Sequence, residues 1–213
     1  VAVCDLHPGY LSTHFAEQMK GIELIRVQHH WAHVASTLAD CGQTGPVIGL
    51  VADGTGYGTD GAVWGCECLI ASLTEFERFG HLAYFPLAGG DKASREAIRP
   101  IIALLAERVD AHEPIVASIE PDLDKIRLIQ EQIRTGLNTV NTSSLGRLFD
   151  AAAALLRLGR KNRFEAELPM ALEAIAADGI QAAYPIELRE EGGVWTFGQV
   201  SIIEGMLADI KGH

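Results

Sequence analysis

Short apolar runs alternate with helix-like patterns along the first 45 residues of the chain. The predicted elements are strands at 1–6 and 22–27 and helices at 12–20 and 29–42. Gly42 stands where the second helix should end, which is the position that glycine favours after a helix. The next run, PVIGLVAD at 46–53, is apolar almost throughout and predicts a strand that is buried on both faces of a sheet.

The pattern changes after residue 53, where two further strands precede a mostly helical block. A glycine-rich stretch leads into strand candidates at 62–72 and 76–85, which together with the strand at 46–53 predict a meander. Helical periodicity then covers 98–109, 123–136, 144–158 and 169–177, a hairpin covers 182–198, and a last helix covers 200–211. The whole pattern is typical of an α/β protein.

The composition narrows the class of protein. With 213 residues, 48% of them apolar and 21% charged, the chain is long enough for one large domain or two small ones. The formal net charge of -11 disfavours a nucleic-acid-binding protein, which usually presents a basic face. The longest apolar run, AAAALL, is too short to span a membrane, so we expect no membrane partner.

The cysteine content and the N-terminal sequence bear on the compartment of the protein and on whether the chain is part of a longer one. Four cysteines are too few for a disulfide scaffold of this length, and the N-terminus lacks a secretory signal, so we expect a cytoplasmic protein. The chain opens on Val1, within what already reads as a strand. We therefore expect it to be a piece of a longer polypeptide.

Three histidines lie within the segment VQHHWAHVAS at 27–36. Residues four apart lie on one face of a helix, so His29 and His33 can direct two imidazoles at one point. This pair suits zinc, iron or another borderline ion, but a catalytic metal normally has about three protein ligands. A solvated or hydrogen-bonded pair is the alternative. His30 should point away from the pair, and Trp31 should pack in the core.

The stretch DGTGYGTDG at 53–61 follows a predicted strand directly. Its glycines allow backbone N–H groups to turn toward an anion. Asp53 stands where the strand should end, the usual edge for ligands in an α/β sheet, and its carboxylate could hold a metal or a metal-bound water. The alternative is a glycine-rich hairpin between two strands.

The segment TSSLGRLFDAAAALLRL at 142–158 predicts a helix capped by Ser143 or Ser144. Arg147 and Asp150 are three residues apart and can pair with each other. Gly146 falls in the first turn, where glycine costs helix stability. Its position makes sense if something approaches the backbone closely there.

Five blocks of the chain, taken in order, resemble the HypF family, the carbamoyltransferases of NiFe-hydrogenase maturation. The blocks are CDLHPGYLSTHFAEQ, VQHHWAHVAS, DGTGYGTDGAVWGCE, PLAGGDKASRE and TSSLGRLFDAAAALL. The similarity runs from residue 1 to about residue 175 and implies an incomplete actin-like ATPase (ASKHA, ribonuclease H-like) fold. Residues 1–45 would be the remnant of a first lobe, and residues 46–213 the start of a second lobe with a helical and hairpin insertion at about 90–200.

The resemblance also implies a chemistry. Family members pass a carbamoyl group from carbamoyl-adenylate, made from carbamoyl phosphate and ATP, to the C-terminal cysteine of a HypE partner, en route to the cyanide ligands of the hydrogenase. His29 and His33 match the metal ligands of the family, for zinc or iron, and Asp53 matches the residue that faces the metal and the phosphate. The implied nucleotide-binding residues are Gly54, Thr55, Gly56, Tyr57, Gly58, Ser143, Ser144, Gly146, Asp150 and Glu165.

The sequence departs from the family pattern in two respects. The C-terminal half of the family's domain, with an aspartate that supplies a third metal ligand, is not present, so we expect weak metal binding and no transfer activity from this fragment alone. Ala166 stands where the family usually has glycine. Two other functions stay open, an O-carbamoyltransferase of the antibiotic or nodulation type and a non-catalytic lobe that docks a partner. An exposed lobe face would also favour a homodimer.

Overall fold

The structure is a computed structural model that describes residues 1–105 and 108–212. Its strands are β1 (Ala2–Asp5), β2 (Leu24–Val27), β3 (Val47–Tyr57), β4 (Val63–Ala71), β5 (Phe76–Leu82), β6 (Phe85–Ala88), β7 (Thr139–Thr142), β8 (Glu187–Glu191) and β9 (Val194–Gly198). Its helices are α1 (Leu11–Glu17), α2 (His29–Asp40), α3 (Ile98–Leu105), α4 (Glu113–Ile119), α5 (Leu123–Thr135), α6 (Leu145–Leu155), α7 (Glu167–Ala174) and α8 (Val200–Gly212). None of these helices is both long and apolar enough to cross a membrane.

Two parallel strands form a small sheet near the N-terminus. β1 and β2 pair in register from Ala2 opposite Leu24 to Asp5 opposite Val27. Parallel strands need a crossover connection, and α1 supplies it. Because both strands end at the same edge of this sheet, Asp5 lies next to the start of α2.

Seven strands form the main sheet, in the order β6, β7, β4, β5, β9 and β8, with β3 pairing to β4. β3, β4 and β5 form the antiparallel meander that the sequence predicts. The predicted hairpin is β8 and β9, and β9 joins β5 in parallel. The segment at about 90–200 therefore contributes strands to the main sheet as well as helices.

Helices pack against the main sheet in two hydrophobic clusters. The larger cluster joins α3, α4, α5, α6 and α8 to β5 and β6, and Ile101 and Ile102 of α3 are each 1% exposed within it. The smaller cluster packs α2 against β4, with Val34 and Leu38 beside Trp64. Burial of a large apolar side chain contributes about 1.5–3 kcal/mol. These clusters hold β3, α2 and α6 in the relative positions on which the site depends.

β3 continues beyond the point where the sequence predicts its end. The register with β4 shifts between Ala52 and Gly56, and pairing resumes as far as Tyr57. A bulge of this kind bends a strand and redirects a side chain without ending the sheet. The prediction that the strand ends at Asp53 is therefore wrong, and Asp53 lies within the bulge.

β3 is also less buried than its apolar sequence predicts. Ile48 and Leu50 are 78% and 72% exposed, so one face of the strand is open. The other face is covered by α2, which approaches so closely that a Cβ at Gly49 would overlap the side chain of Val34. The prediction of a strand buried on both faces is wrong for the described part of the chain.

The periodicity misses three short elements, β6, β7 and α4. Each is only four to seven residues long, and β7 has the largely polar sequence TVNT, so none carries a clear periodic signal. The helix predicted at 98–109 is α3 as far as Leu105, and residues 106 and 107 lie outside the described residues.

Candidate metal and nucleotide site

Two histidines of α2 direct their imidazoles at one point. Gln28 caps the helix, since its side-chain oxygen accepts a hydrogen bond from the N–H of Trp31 at 2.8 Å. His29 and His33 follow on one face, and their Nε2 atoms lie 3.3 Å apart. Trp31 stacks on Phe76 in the smaller hydrophobic cluster, as predicted.

Asp53 faces the histidine pair from the bulge of β3. Its Oδ2 lies 3.1 Å from Nε2 of His29 and 4.0 Å from Nε2 of His33. Its Oδ1 accepts a hydrogen bond from the N–H of Gly54, whereas the buried Oδ2 has no donor among the described residues. A buried anionic oxygen without a donor is costly unless a cation faces it. We call His29, His33 and Asp53 the metal cluster.

Asp5 fixes the proton of His29. Its Oδ2 lies 2.8 Å from Nδ1 of His29, and its Oδ1 accepts a hydrogen bond from the N–H of His7 at 2.7 Å. A carboxylate can only accept, so the neutral imidazole of His29 carries its proton on Nδ1. The Nε2 atom that faces Asp53 is then free to bind a metal, in the arrangement that carboxylate–histidine–metal sites use.

The dimensions of the metal cluster fit a small divalent ion. A tetrahedral zinc ion with bonds of roughly 2.0–2.1 Å holds its ligand atoms roughly 3.3 Å apart. Two of the three distances in the cluster, 3.3 and 3.1 Å, match this spacing, and the third is wider at 4.0 Å. Two imidazoles and a carboxylate are a donor set that zinc and iron accept. The chemistry of the donors and the unpaired Oδ2 both fit a metal.

His30 does not point away from the site, and that prediction is wrong. Its ring is fully buried, and its Nε2 lies 3.8 Å from Oδ2 of Asp53, beneath the metal cluster. Burial lowers the pKa of His30 to about 4, although the charge of Asp53 acts in the opposite direction. His30 is therefore neutral at physiological pH.

The glycine-rich stretch is the end of β3 followed by a tight turn, as the hairpin alternative describes. A Cβ at Gly56 would overlap the ring of His30, and a Cβ at Gly58 would overlap the ring of Trp64. Tyr57 makes an edge contact with another ring, that of His7, at 5.3 Å. These three predicted nucleotide-binding residues make room for side chains or pack against them, and they do not line the neighbouring cleft.

A cleft of about 750 Å³ opens beside the metal cluster. The predicted site residues that line it are His29, Asp53, Gly54, Thr55, Gly146 and Glu165. The structure thus brings together the bulge of β3 and the first turn of α6, which are far apart in sequence. The Oγ of Ser144 donates a hydrogen bond to the carbonyl of Gly54 at 2.6 Å. A Cβ at Gly146 would lie 3.0 Å from Cα of Gly54, so β3 makes the close approach that this glycine indicates.

Ser143, Ser144 and Asp150 lie behind the wall of the cleft. Ser144 caps α6, and Ser143 donates a hydrogen bond to the buried carboxylate of Glu67 at 2.5 Å. Asp150 pairs with Arg147 at 2.5 Å, as the spacing predicts. Burial raises the pKa of Asp150, against the effect of this pairing. These residues position the wall, whereas Arg147 itself lines the cleft.

Glu165 also lines the cleft, just before α7. The next residue, Ala166, has a φ of 58°, in the left-handed region that glycine adopts without a Cβ penalty. This conformation is the physical reason why a glycine suits the position where this chain has alanine.

Family models match almost the whole chain. A model described as "Carbamoyltransferase, Kae1-like Domain, second subdomain" matches residues 49–213, and one described as "HypF Kae1-like domain" matches residues 1–40. The chain belongs to the HypF family. Its curated HypF relatives are named carbamoyltransferases, so the family is one of enzymes.

Individual HypF proteins are similar over most of this chain. The "Carbamoyltransferase HypF homolog" of Cupriavidus necator is 39% identical over 188 residues, which are 86% of this chain and 48% of that protein. The "Carbamoyltransferase HypF" of Rhizobium leguminosarum bv. viciae is 39% identical over 176 residues, which are 82% of this chain and 22% of that protein. The chain therefore spans about half the length of the first relative and about a fifth of the second.

Two solved HypF structures share the fold. Full-length HypF "in the phosphate- and nucleotide-bound form" superposes with a TM-score of 0.93 at 36% identity, covering 98% of this chain and 27% of that one. HypF of T. kodakarensis superposes with a TM-score of 0.83 at 33% identity, covering 99% of this chain and 29% of that one. The α/β fold of this chain is thus the fold of a Kae1-like HypF region.

Sequence reasoning missed two residues of this HypF site, Asp5 and Gln28. Asp5 ends β1 next to a helix start, and a carboxylate at a strand end was the signal that identified Asp53. The same signal, applied to the first strand, points to Asp5. Gln28 precedes the first histidine, but glutamine is not among the preferred N-cap residues, so the sequence carries no N-cap signal for it.

Proposed function

We propose that this chain is the metal- and nucleotide-binding part of a HypF carbamoyl-transfer domain. It acts in passing a carbamoyl group from carbamoyl-adenylate to the C-terminal cysteine of a HypE-like partner, en route to the cyanide ligands of NiFe hydrogenase. Carbamoyl phosphate and ATP are the upstream substrates. The observation that carries the proposal is the position of the metal cluster at a cleft whose walls are the bulge of β3 and the first turn of α6.

Two comparisons support a nucleotide in this cleft. The HypF structure with a TM-score of 0.93 is described as phosphate- and nucleotide-bound. The family model names the region Kae1-like, which favours an actin-like ATPase (ASKHA) fold with a nucleotide between two lobes. In that fold we assign residues 1–45 to the first lobe and residues 46–213 to the second, and we expect a cytoplasmic protein.

The residues of the chain have separable roles in this proposal. A divalent metal, when bound, stabilises negative charge on phosphate oxygens. Asp5 keeps the proton of His29 on Nδ1, so Nε2 stays free as a ligand. Leu145 and Gly146 line the cleft in the first turn of α6, where N–H groups have no partner within the helix and can face a phosphate. The partner's thiolate forms the new bond to the carbamoyl carbon, and the adenylate leaves as AMP.

Zinc titration of purified variants tests the metal part of the proposal. His29→Ala and His33→Ala should each abolish zinc binding, because each removes one of three ligand atoms. His14→Ala is the matched control, since His14 is an exposed histidine on α1. Wild-type protein that binds no zinc, or equal loss in the control, would contradict the metal cluster.

Titration with ATP tests the nucleotide part. Glu165→Ala removes a carboxylate that lines the cleft and should weaken ATP binding roughly tenfold, as expected for a hydrogen bond to a charged group. Glu173→Ala is the control, because Glu173 is exposed on the neighbouring helix α7. A chain that binds a HypE-like peptide but neither zinc nor ATP would favour the non-catalytic docking lobe instead.

A further inference from the structure

The ring of His30 lies in a buried position that is closely defined by the neighbouring residues. The ring is 0% exposed and lies between α2 and the end of β3. Gly56 leaves space for it, since a Cβ there would overlap Cε1 of His30. The ring of Trp64 lies 6.1 Å away, centroid to centroid. The structure therefore keeps a polar ring in a place where an apolar side chain would avoid the cost of desolvation.

Gln28 determines which nitrogen of His30 carries the proton. The Oε1 of Gln28 accepts a hydrogen bond from the N–H of Trp31 at 2.8 Å, so its amide nitrogen must face the other way. The Nε2 of Gln28 donates to the carbonyl of Tyr57 and to Nδ1 of His30, both at 3.2 Å. Since Nδ1 of His30 accepts, the neutral ring carries its proton on Nε2.

The Nε2–H of His30 and the Oδ2 of Asp53 are the two polar atoms that this arrangement leaves unpaired. Both are buried without a hydrogen-bond partner among the described residues, and they lie 3.8 Å apart. A movement of about 1 Å would bring them to hydrogen-bonding distance. The terminal torsion of an aspartate has a broad potential, so its carboxylate can turn at little cost.

We infer that His30 is a positioning residue, which holds the metal-facing oxygen of Asp53 by donating a hydrogen bond from Nε2. A carboxylate oxygen has two lone pairs, so Oδ2 can accept from His30 and bind a cation at the same time. The Oδ1 of Asp53 is already held by the N–H of Gly54. With both oxygens fixed, the free lone pair of Oδ2 faces His29 and His33. This inference rests on the proposed metal site.

Two substitutions of His30 that place an amide nitrogen at different distances from Cβ test the inference. In glutamine the amide nitrogen is three bonds from Cβ, as Nε2 is in histidine, whereas in asparagine it is only two bonds away. His30→Gln should keep zinc affinity close to wild type, and His30→Asn should lower it about 10–100-fold, the usual effect of losing a partner of a metal ligand. The readouts are zinc affinity by competition with a chromophoric chelator and the melting temperature of the metal-free proteins.

The possible outcomes distinguish a positioning role of His30 from a packing role, and both of these from the absence of a metal site. Equal zinc affinity in His30→Asn and wild type would overturn the inference while leaving the metal cluster intact. Equal weakening in both variants, in parallel with lower melting temperatures, would also overturn it, because the ring would then act by packing. Wild-type protein that binds no zinc would overturn the metal site and the inference together.

A measurement on the unmodified protein keeps the inference testable if the variants do not fold. Nitrogen-15 NMR of the histidine rings reports which ring nitrogen carries the proton. His30 should show a protonated Nε2 and an unprotonated Nδ1, and addition of zinc should shift its Nε2 signal. The opposite tautomer would overturn the inference.

Discussion

Two clusters of ionisable side chains are centred on carboxylates of the main sheet, and the hydrogen bonds of these carboxylates are completed in different ways. The Glu67 cluster consists of Glu67, Arg78, Asp60 and Tyr84. Its central carboxylate, Glu67, is fully buried, and it accepts hydrogen bonds from Ser143 Oγ at 2.5 Å and from Arg78 Nε at 2.7 Å. The guanidinium of Arg78 also lies 3.9 Å from the ring centroid of Trp64. Protein groups therefore supply the partners of this carboxylate.

The metal cluster has the same kind of group at its centre but leaves it incomplete. The Oδ2 of Asp53 has no donor among the described residues, and it faces the Nε2 atoms of two imidazoles, of which that of His29 is unprotonated in the neutral ring. A carboxylate with every acceptor filled stabilises the fold, whereas one with a free buried lone pair is prepared for a cation. The difference between the clusters predicts that substitutions in one change stability and substitutions in the other change binding.

Glu67→Gln should have the largest effect on the free energy of unfolding. It leaves the guanidinium of Arg78 without its main anionic partner in a buried place, and breaking a buried ion pair in this way costs about 3–5 kcal/mol. Urea denaturation measures the loss. Glu131→Gln is the control, because it breaks an exposed pair with Arg134 and should leave the unfolding curve unchanged. A small loss for Glu67→Gln would mean that Asp60, 3.3 Å from Arg78, takes over the pairing.

The next largest effect we expect is the stability gained on zinc binding, which should differ between variants of the two clusters. A ligand that binds only the folded state stabilises it by about 2.7 kcal/mol at one hundred times its dissociation constant. We expect wild-type protein and Glu67→Gln to gain this stability, and Asp53→Asn to gain none. Without zinc, the stability of Asp53→Asn should stay close to that of wild type, because the amide oxygen of asparagine can keep the hydrogen bond from the N–H of Gly54. Denaturation with and without zinc measures both effects, and a gain in Asp53→Asn would contradict the assignment of Asp53 as a ligand.

Asp5→Asn should weaken zinc binding without abolishing it. Both oxygens of Asp5 accept hydrogen bonds, from the N–H of His7 and from Nδ1 of His29, and an amide has only one accepting oxygen. Loss of a carboxylate behind a metal-binding histidine typically costs about 10–100-fold in affinity. Asp40→Asn, an exposed change at the end of α2, is the control. Unchanged affinity in Asp5→Asn would show that the tautomer of His29 is set by other groups.

The sequence predicts those features of the metal cluster that depend on the spacing of residues within one helix. His29 and His33 are four residues apart on a helix, so a shared face follows from helix geometry alone. The position of Asp53 was predicted for a partly wrong reason, since β3 continues through it as a bulge. Glycines that read as a loop are in fact places where the rings of His30 and Trp64 press against the strand.

The Glu67 cluster could not be predicted, because its contacts span the chain. Ser143 and Glu67 are 76 residues apart in sequence, and Ser143 directly follows β7, a strand with no periodic signal. Arg78 meets Glu67 only because β4 and β5 pair in one register. Contacts of this kind follow from strand pairing, which local patterns do not specify.

The smallest effect we expect is on the pH dependence of stability, and it concerns His81 beside the Glu67 cluster. Burial and the charge of Arg78 lower the pKa of His81 below its usual value of about 6.5. The unfolded chain then takes up a proton more readily than the folded chain, so stability is complete above about pH 6.5 and falls as the pH falls below it. His81→Asn keeps a donor where Nδ1 faces the carbonyl of Leu82, but it does not titrate. Urea midpoints between pH 7.5 and 5.5 should therefore fall less steeply in the variant, with the remaining slope partly due to His30, whose pKa is about 4. Equal slopes in the two proteins would show that His81 takes up its proton equally well in the folded and unfolded chains.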